Sequence, residues 1–109
     1  MALKIKVLGM GKLGSVQTAI YGPVPSGTAA VLKNMRYVNP GASSYNINVF
    51  IKRSGQTARY LLGLNTSLAV NQMISDSNDV TLEYNDSIEA YASTSNTIEF
   101  LLSGIERDA

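Results

Sequence analysis

The sequence predicts an all-β domain, an antiparallel β-sandwich or jelly roll of about eight short strands with an extended N-terminal arm. Three observations carry that expectation. Apolar residues recur at every second position, clusters of Gly, Pro, Asn, Asp and Ser separate the runs, and no stretch holds the 3.6-residue spacing of an amphipathic helix. At 109 residues the chain is one domain, because a split would leave fragments too small to bury a core.

Leu3, Ile5 and Val7 alternate with Lys4 and Lys6, the period of a strand. Gly9, Gly11 and Gly14 follow, so residues 1–14 read as an N-terminal arm or a first strand and residues 15–109 as the sandwich. Residues 16–21 carry β-favouring Val16, Thr18, Ile20 and Tyr21 before the stiff connection Gly22-Pro23-Val24-Pro25-Ser26-Gly27. A strand over 29–38 ends at Asn39-Pro40-Gly41. The clearest strand sets Tyr45, Ile47, Val49 and Ile51 against Asn46, Asn48, Phe50 and Lys52, and stops at Arg53-Ser54-Gly55.

Residues 58–62 and 80–84 read as further strands. Residues 64–74 hold the weak helix formers Asn65, Thr66, Ser67 and Asn71, which leaves a single turn, a loop or a strand open. Ile88, Ala90 and Ala92 alternate with Ser87, Glu89 and Tyr91, so an inward Ala90 turns Tyr91 outward, where tyrosine favours protein contacts. Ile98, Phe100 and Leu102 complete the pattern.

Charge is divided along the chain. Residues 1–75 hold eight cations and no acid: Lys4, Lys6, Lys12, Lys33, Arg36, Lys52, Arg53 and Arg59. Residues 76–109 hold all eight acids and one cation, Arg107. The split must be settled inside the fold, by C-terminal strands lying beside N-terminal ones, or between copies that dock basic on acidic surface. Nucleic-acid binding fits poorly, since the cations are scattered over several segments and folding brings the acids near them.

Enzyme chemistry finds little purchase. The chain has neither His nor Cys, which removes the commonest general base, the thiol nucleophile and the usual zinc ligands. Gly9-Met10-Gly11-Lys12-Leu13-Gly14 matches the dinucleotide fingerprint, but residues 15–21 are too short and too β-favouring for the helix that must hold the pyrophosphate. Glu83 with Glu89 or Glu99 is the only pairing suited to glycoside hydrolysis, and no tryptophan is present to stack a sugar. Asp76-Ser77-Asn78-Asp79 lacks the glycine and distant glutamate of a calcium loop and reads as a turn. No catalytic residue, cofactor or metal is expected. A signal-peptide pattern and a run of about 18 apolar residues are both missing, so the expected product is soluble, made in a cytoplasm and not membrane-bound.

Residues 28–39 (Thr-Ala-Ala-Val-Leu-Lys-Asn-Met-Arg-Tyr-Val-Asn), the run Ile47-Asn48-Val49-Phe50-Ile51, Leu82, the run Asp86-Ser87-Ile88-Glu89-Ala90 and Ser103-Gly104-Ile105-Glu106 resemble small β-sandwich virion structural proteins of tailed bacteriophages. The similarity spans about residues 20–107 and rests on strand and turn patterns. It implies a non-enzymatic virion protein, a capsid decoration or cement subunit that binds the particle surface and stabilises it. The alternative is a tail, neck or receptor/glycan-binding tail module. The expected partners are a major capsid or tail protein and other copies of the chain. The residues expected to make contacts are Lys4, Lys6 and Lys12 on the arm, a basic patch from Lys33, Arg36, Lys52, Arg53 or Arg59, and Tyr91.

Overall fold

The computed structural model describes residues 3–108, so Met1, Ala2 and Ala109 of the expected arm and domain lie outside the described residues. Ten strands form: β1 (Leu3–Lys12), β2 (Thr18–Tyr21), β3 (Thr28–Val38), β4 (Tyr45–Lys52), β5 (Arg59–Tyr60), β6 (Thr66–Leu68), β7 (Met73–Asp76), β8 (Val80–Leu82), β9 (Ser87–Ala92) and β10 (Glu99–Asp108). Every pairing is antiparallel, and the described residues contain no helix.

The strands make two five-stranded sheets packed face to face, a β-sandwich. Sheet I runs β1-β10-β3, with β7 and β8 sharing the far edge of β3. Sheet II runs β2-β9-β4, with β5 and β6 sharing the far edge of β4. Each sheet thus fills one side of its longest inner strand with two short pieces. Two of those pieces, β6 and β7, arise within or next to the ambiguous segment 64–74 and raise the strand number above the eight expected.

The core forms where the two inner faces meet. Leu32, Met35, Tyr37, Leu82 and Leu102 from sheet I meet Ile47, Val49, Leu68, Ile88 and Ala90 from sheet II, and all are buried. Leu13, Val24 and Ile98 close the ends from the connections. Leu13 is held there by backbone bonds: its N–H donates to the Ile98 carbonyl at 2.8 Å and its carbonyl accepts from Asn96 N–H at 2.9 Å. Alternation alone would put Lys33 on the wrong face halfway along β3. The chain solves this with a bulge, Lys33 standing as an extra residue between Leu32, opposite Gly104, and Asn34, opposite Ser103.

A second bulge flanks the same point on the other side of β10. There Leu8 is the extra residue, between Val7 opposite Ser103 and Gly9 opposite Leu102. Two glycines permit the tight geometry. A Cβ on Gly104 would collide with the Val31 carbonyl oxygen, and one on Gly9 would stand 2.5 Å from the Ile20 carbonyl oxygen of sheet II. The glycine run read as a fingerprint is therefore a point of close backbone approach, and the chain continues into strand β2 instead of a helix.

Residues 3–12 form a hydrogen-bonded edge strand. This corrects the expected extended arm in favour of its alternative, a first strand, because every residue except the bulged Leu8 finds register with β10.

Candidate interaction surface

Strand β1 carries its apolar residues on the wrong side for a core. Register with β10 puts Lys4, Lys6, Gly9 and Gly11 on the inner face, since their partners Glu106, Gly104, Leu102 and Phe100 point inward. Leu3, Ile5, Val7 and Met10 therefore face solvent, with exposures of 68%, 90%, 54% and 76%. Half-buried Val31, Val38, Leu101 and Ile105 extend this face across β10 and β3. It holds two shallow grooves. One, of about 310 Å³, lies by Leu3, Val31, Thr81, Ile105 and Arg107; the other, of about 210 Å³, lies by Met10, Arg36, Val38, Glu99 and Leu101. A row of exposed large apolar side chains on a sheet face marks a contact surface, because leaving it in water forgoes roughly 25 cal/mol per Å².

The inward lysines are accommodated at an open, polar end of the sandwich. Glu106 accepts from the Tyr21 hydroxyl at 2.5 Å and from Lys6 Nζ at 3.1 Å. The Tyr21 bond holds the Glu106 carboxyl below its usual range, opposed by burial and aided by Lys6 and Lys4. Burial, then the bond and charge of Glu106, push the Tyr21 phenol up.

The other expected cations do not form one patch. Lys33 and Arg36 stand on β3 of sheet I, whereas Lys52, Arg53 and Arg59 belong to sheet II and its β4–β5 turn. Lys33 pairs with Asp79 at 2.9 Å. Arg53 is an internal tie: its Nη1 donates to Asp86 Oδ2 at 2.5 Å and to the Thr81 carbonyl at 2.9 Å. Asp86 also accepts from Glu83 N–H at 2.9 Å and Ser54 N–H at 3.2 Å. Burial would raise the Asp86 carboxyl, but the bonds from Glu83, Arg53 and Ser54 outweigh it and the net shift is downward. Arg36 faces the smaller groove, Arg59 is exposed on β5, and Lys12 stands opposite Glu99.

Among the described residues, the ion pairs Lys6–Glu106, Lys33–Asp79 and Arg53–Asp86 each join an early cation to a late acid. Part of the divided charge is thereby settled inside the subunit.

Tyr91 lies on the outer face of sheet II, half-buried and stacked on Phe50 with ring centroids 6.0 Å apart. Tyr60 covers the other side of Phe50 at 4.6 Å, so three rings form a row from β5 to β9. The carboxylates considered for hydrolysis do not converge. Glu89 is on the outer face of sheet II, bonded to Gln17 at 2.7 Å, while Glu99 is on the outer face of sheet I and Glu83 in the turn after β8. Asp76 closes a turn by accepting from Asn78 N–H at 2.8 Å. Among the described residues no three carboxylates gather where a metal could sit.

Sequence reasoning placed the contacts on β1 at its lysines and missed Leu3, Ile5, Val7 and Met10. No signal along the sequence gives this direction, because only the register with β10 decides which side of β1 faces solvent. No family model, no curated protein and no solved structure matches the chain.

Proposed function

We propose that the chain is a non-enzymatic structural subunit of a tailed-bacteriophage virion, a capsid decoration or cement subunit that binds the particle surface and stabilises it. The observation that carries this reading is the apolar outer face of sheet I, where Leu3, Ile5, Val7 and Met10 stand bare on a regular strand. A cement subunit acts by complementarity alone, burying such a face against a capsid protein without turnover. The test is to add purified protein to particles lacking it and image them. Density on the head, with a raised temperature of DNA release, is expected. Ile5→Asp is expected to abolish binding while leaving folding stability within about 0.5 kcal/mol, as for an exposed site. Density confined to the tail, or undiminished binding of the variant, would overturn the reading.

A tail, neck or receptor/glycan-binding module is the second reading, favoured by the row Tyr60, Phe50 and Tyr91. The exposed ring of Tyr60 beside half-buried Tyr91, with Phe50 buried between them, is suited to stacking on a sugar ring, and a glycan array without hits would remove this alternative.

A further inference from the structure

The outer face of sheet I and the free edge of β1 are different surfaces, and the edge points to its own partner. Among the described residues, sheet I ends on one side at β1, which pairs only with β10, and on the other at β7 and β8, which pair only with β3. An edge strand of ten residues leaves a row of backbone N–H and C=O groups without strand partners, a template for another chain. Close packing against sheet II occurs near Gly9 and Ile20, leaving the stretch from Leu3 to Val7 accessible along its edge.

Two copies of β1 are poorly suited to pair with each other. An antiparallel register centred on Lys4, Ile5 or Lys6 sets lysine opposite lysine, and like charges directly opposite destabilise a pair. The far edge of the same sheet offers the complement. Asp76 lies on the inner face of β7, the face that carries Lys4 and Lys6 on β1, because its partner Met35 is buried. Met73 and Ser75 lie on the outer face, beside Val38 and Arg36. Among the described residues neither Lys4 nor Asp76 joins an ion pair, although Lys4 stands opposite Glu106 and its charge acts on that carboxylate. Strand direction agrees as well. Sheet I has four columns of alternating direction, so a neighbouring copy in the same orientation brings its β1 antiparallel to β7 and β8.

We infer that sheet I continues from copy to copy, the basic edge β1 of one subunit docking on the edge strand β7 of a second, which carries Asp76. The contact is heterologous, so it does not stop at two copies; it closes into a ring or extends as a chain. Within one sheet Lys4 is level with Ala30 and Asp76 with Met35, so Lys4 meets Asp76 across the junction when the second copy is staggered along the strands, and Ile5 and Val7 then continue the apolar face towards Met73. The inference stands on the edge and holds whichever particle surface the outer face meets.

The test is light scattering on the purified full chain across concentration and salt. The expected wild-type species is larger than a dimer and dissociates as salt rises. Lys4→Glu and Asp76→Lys are each expected to weaken assembly about fivefold or more, and an equimolar mixture of the two to restore it, since each then offers a complementary edge. Asp76→Asn retains the side-chain oxygen that closes the turn to Asn78, so a loss of assembly there does not reflect misfolding. A wild-type monomer at all concentrations, a ceiling at the dimer, or tighter association of Lys4→Glu would each overturn the inference. The last two results would assign pairing of β1 with β1. Particle binding, measured separately with Ile5→Asp, reports on the proposed function and not on this junction.

Discussion

Replacing Asp86 by alanine removes the acceptor that ties the turn after β4 to the turn between β8 and β9. Its carboxylate is 5% exposed and takes three donors: Arg53 Nη1, Glu83 N–H and Ser54 N–H. A hydrogen bond to a buried charged group contributes about 1.5–3 kcal/mol, and the Glu83 bond falls at the lower end of that range. The Arg53 side chain is 38% exposed and Ser54 is exposed, so water replaces part of what they lose and each is discounted to about 0.5–1 kcal/mol. The expected loss is about 3 kcal/mol at pH 7. Urea unfolding reads it as a midpoint about 2 M lower, for a slope of about 1.5 kcal/mol per M. Asp86→Asn, which retains one acceptor oxygen, is expected to lose about half as much.

The carboxyl is held below its ordinary value of about 3.9 in the folded chain, so its contribution is full above that value and disappears as pH falls through the folded one. The gap between wild type and Asp86→Ala must therefore narrow in acid. A gap below about 1 kcal/mol at pH 7, or one that stays constant down to about pH 2, would refute the assignment of Asp86 as a charged tie.

Tyr21→Phe is expected to cost about 1 kcal/mol and to bring the Glu106 carboxyl back up towards its usual range, seen by carboxyl-carbon NMR during acid titration. Burial raises the phenols of both Tyr21 and Tyr37, so their contribution is full below about pH 10 and is lost as pH rises further. Ultraviolet absorbance is expected to show two of the six tyrosines ionising only as the fold opens. Gly104→Ala forces a methyl group against the Val31 carbonyl at the paired bulges and is expected to cost about 2–3 kcal/mol in urea unfolding.

Strands long enough to display alternation were legible from the residues. Residues 45–52 give the case in full: Ile47 and Val49 are buried on the inner face, while Asn46 and Lys52 lie on the other. Tyr91 was likewise placed correctly from the parity of Ile88 and Ala90. Strands β5 and β8 fall inside the strands read over 58–62 and 80–84 but are shorter, whereas β6, three residues long, shows no period and is set by its partner β4.

The side of β1 that faces solvent was illegible for another reason. Alternation fixes that Leu3, Ile5 and Val7 share a face, but only the register with β10 says which way the face points. The bulges at Leu8 and Lys33 then reverse the parity within a strand, which no count along the sequence reveals. The divided charge was read as settled inside the fold or between copies, and Lys6–Glu106, Lys33–Asp79 and Arg53–Asp86 settle part of it inside. That Arg53 would be committed to Asp86, and so removed from any basic patch, depended on two distant turns meeting.

The pairing of Leu3 with Arg107 also sets a timetable for the ribosome. The first strand of sheet I must wait for the last, and at about 5–20 residues per second that delay lasts roughly 5–20 s. Throughout it, β1 emerges without β10, its apolar row available to every nascent neighbour on the same message. Lys4 and Lys6 then serve as gatekeepers, their like charges keeping one unfinished chain off the next. Exchanging both for threonine is accordingly expected to shift newly made protein from the soluble fraction to the pellet, through events that precede the native state.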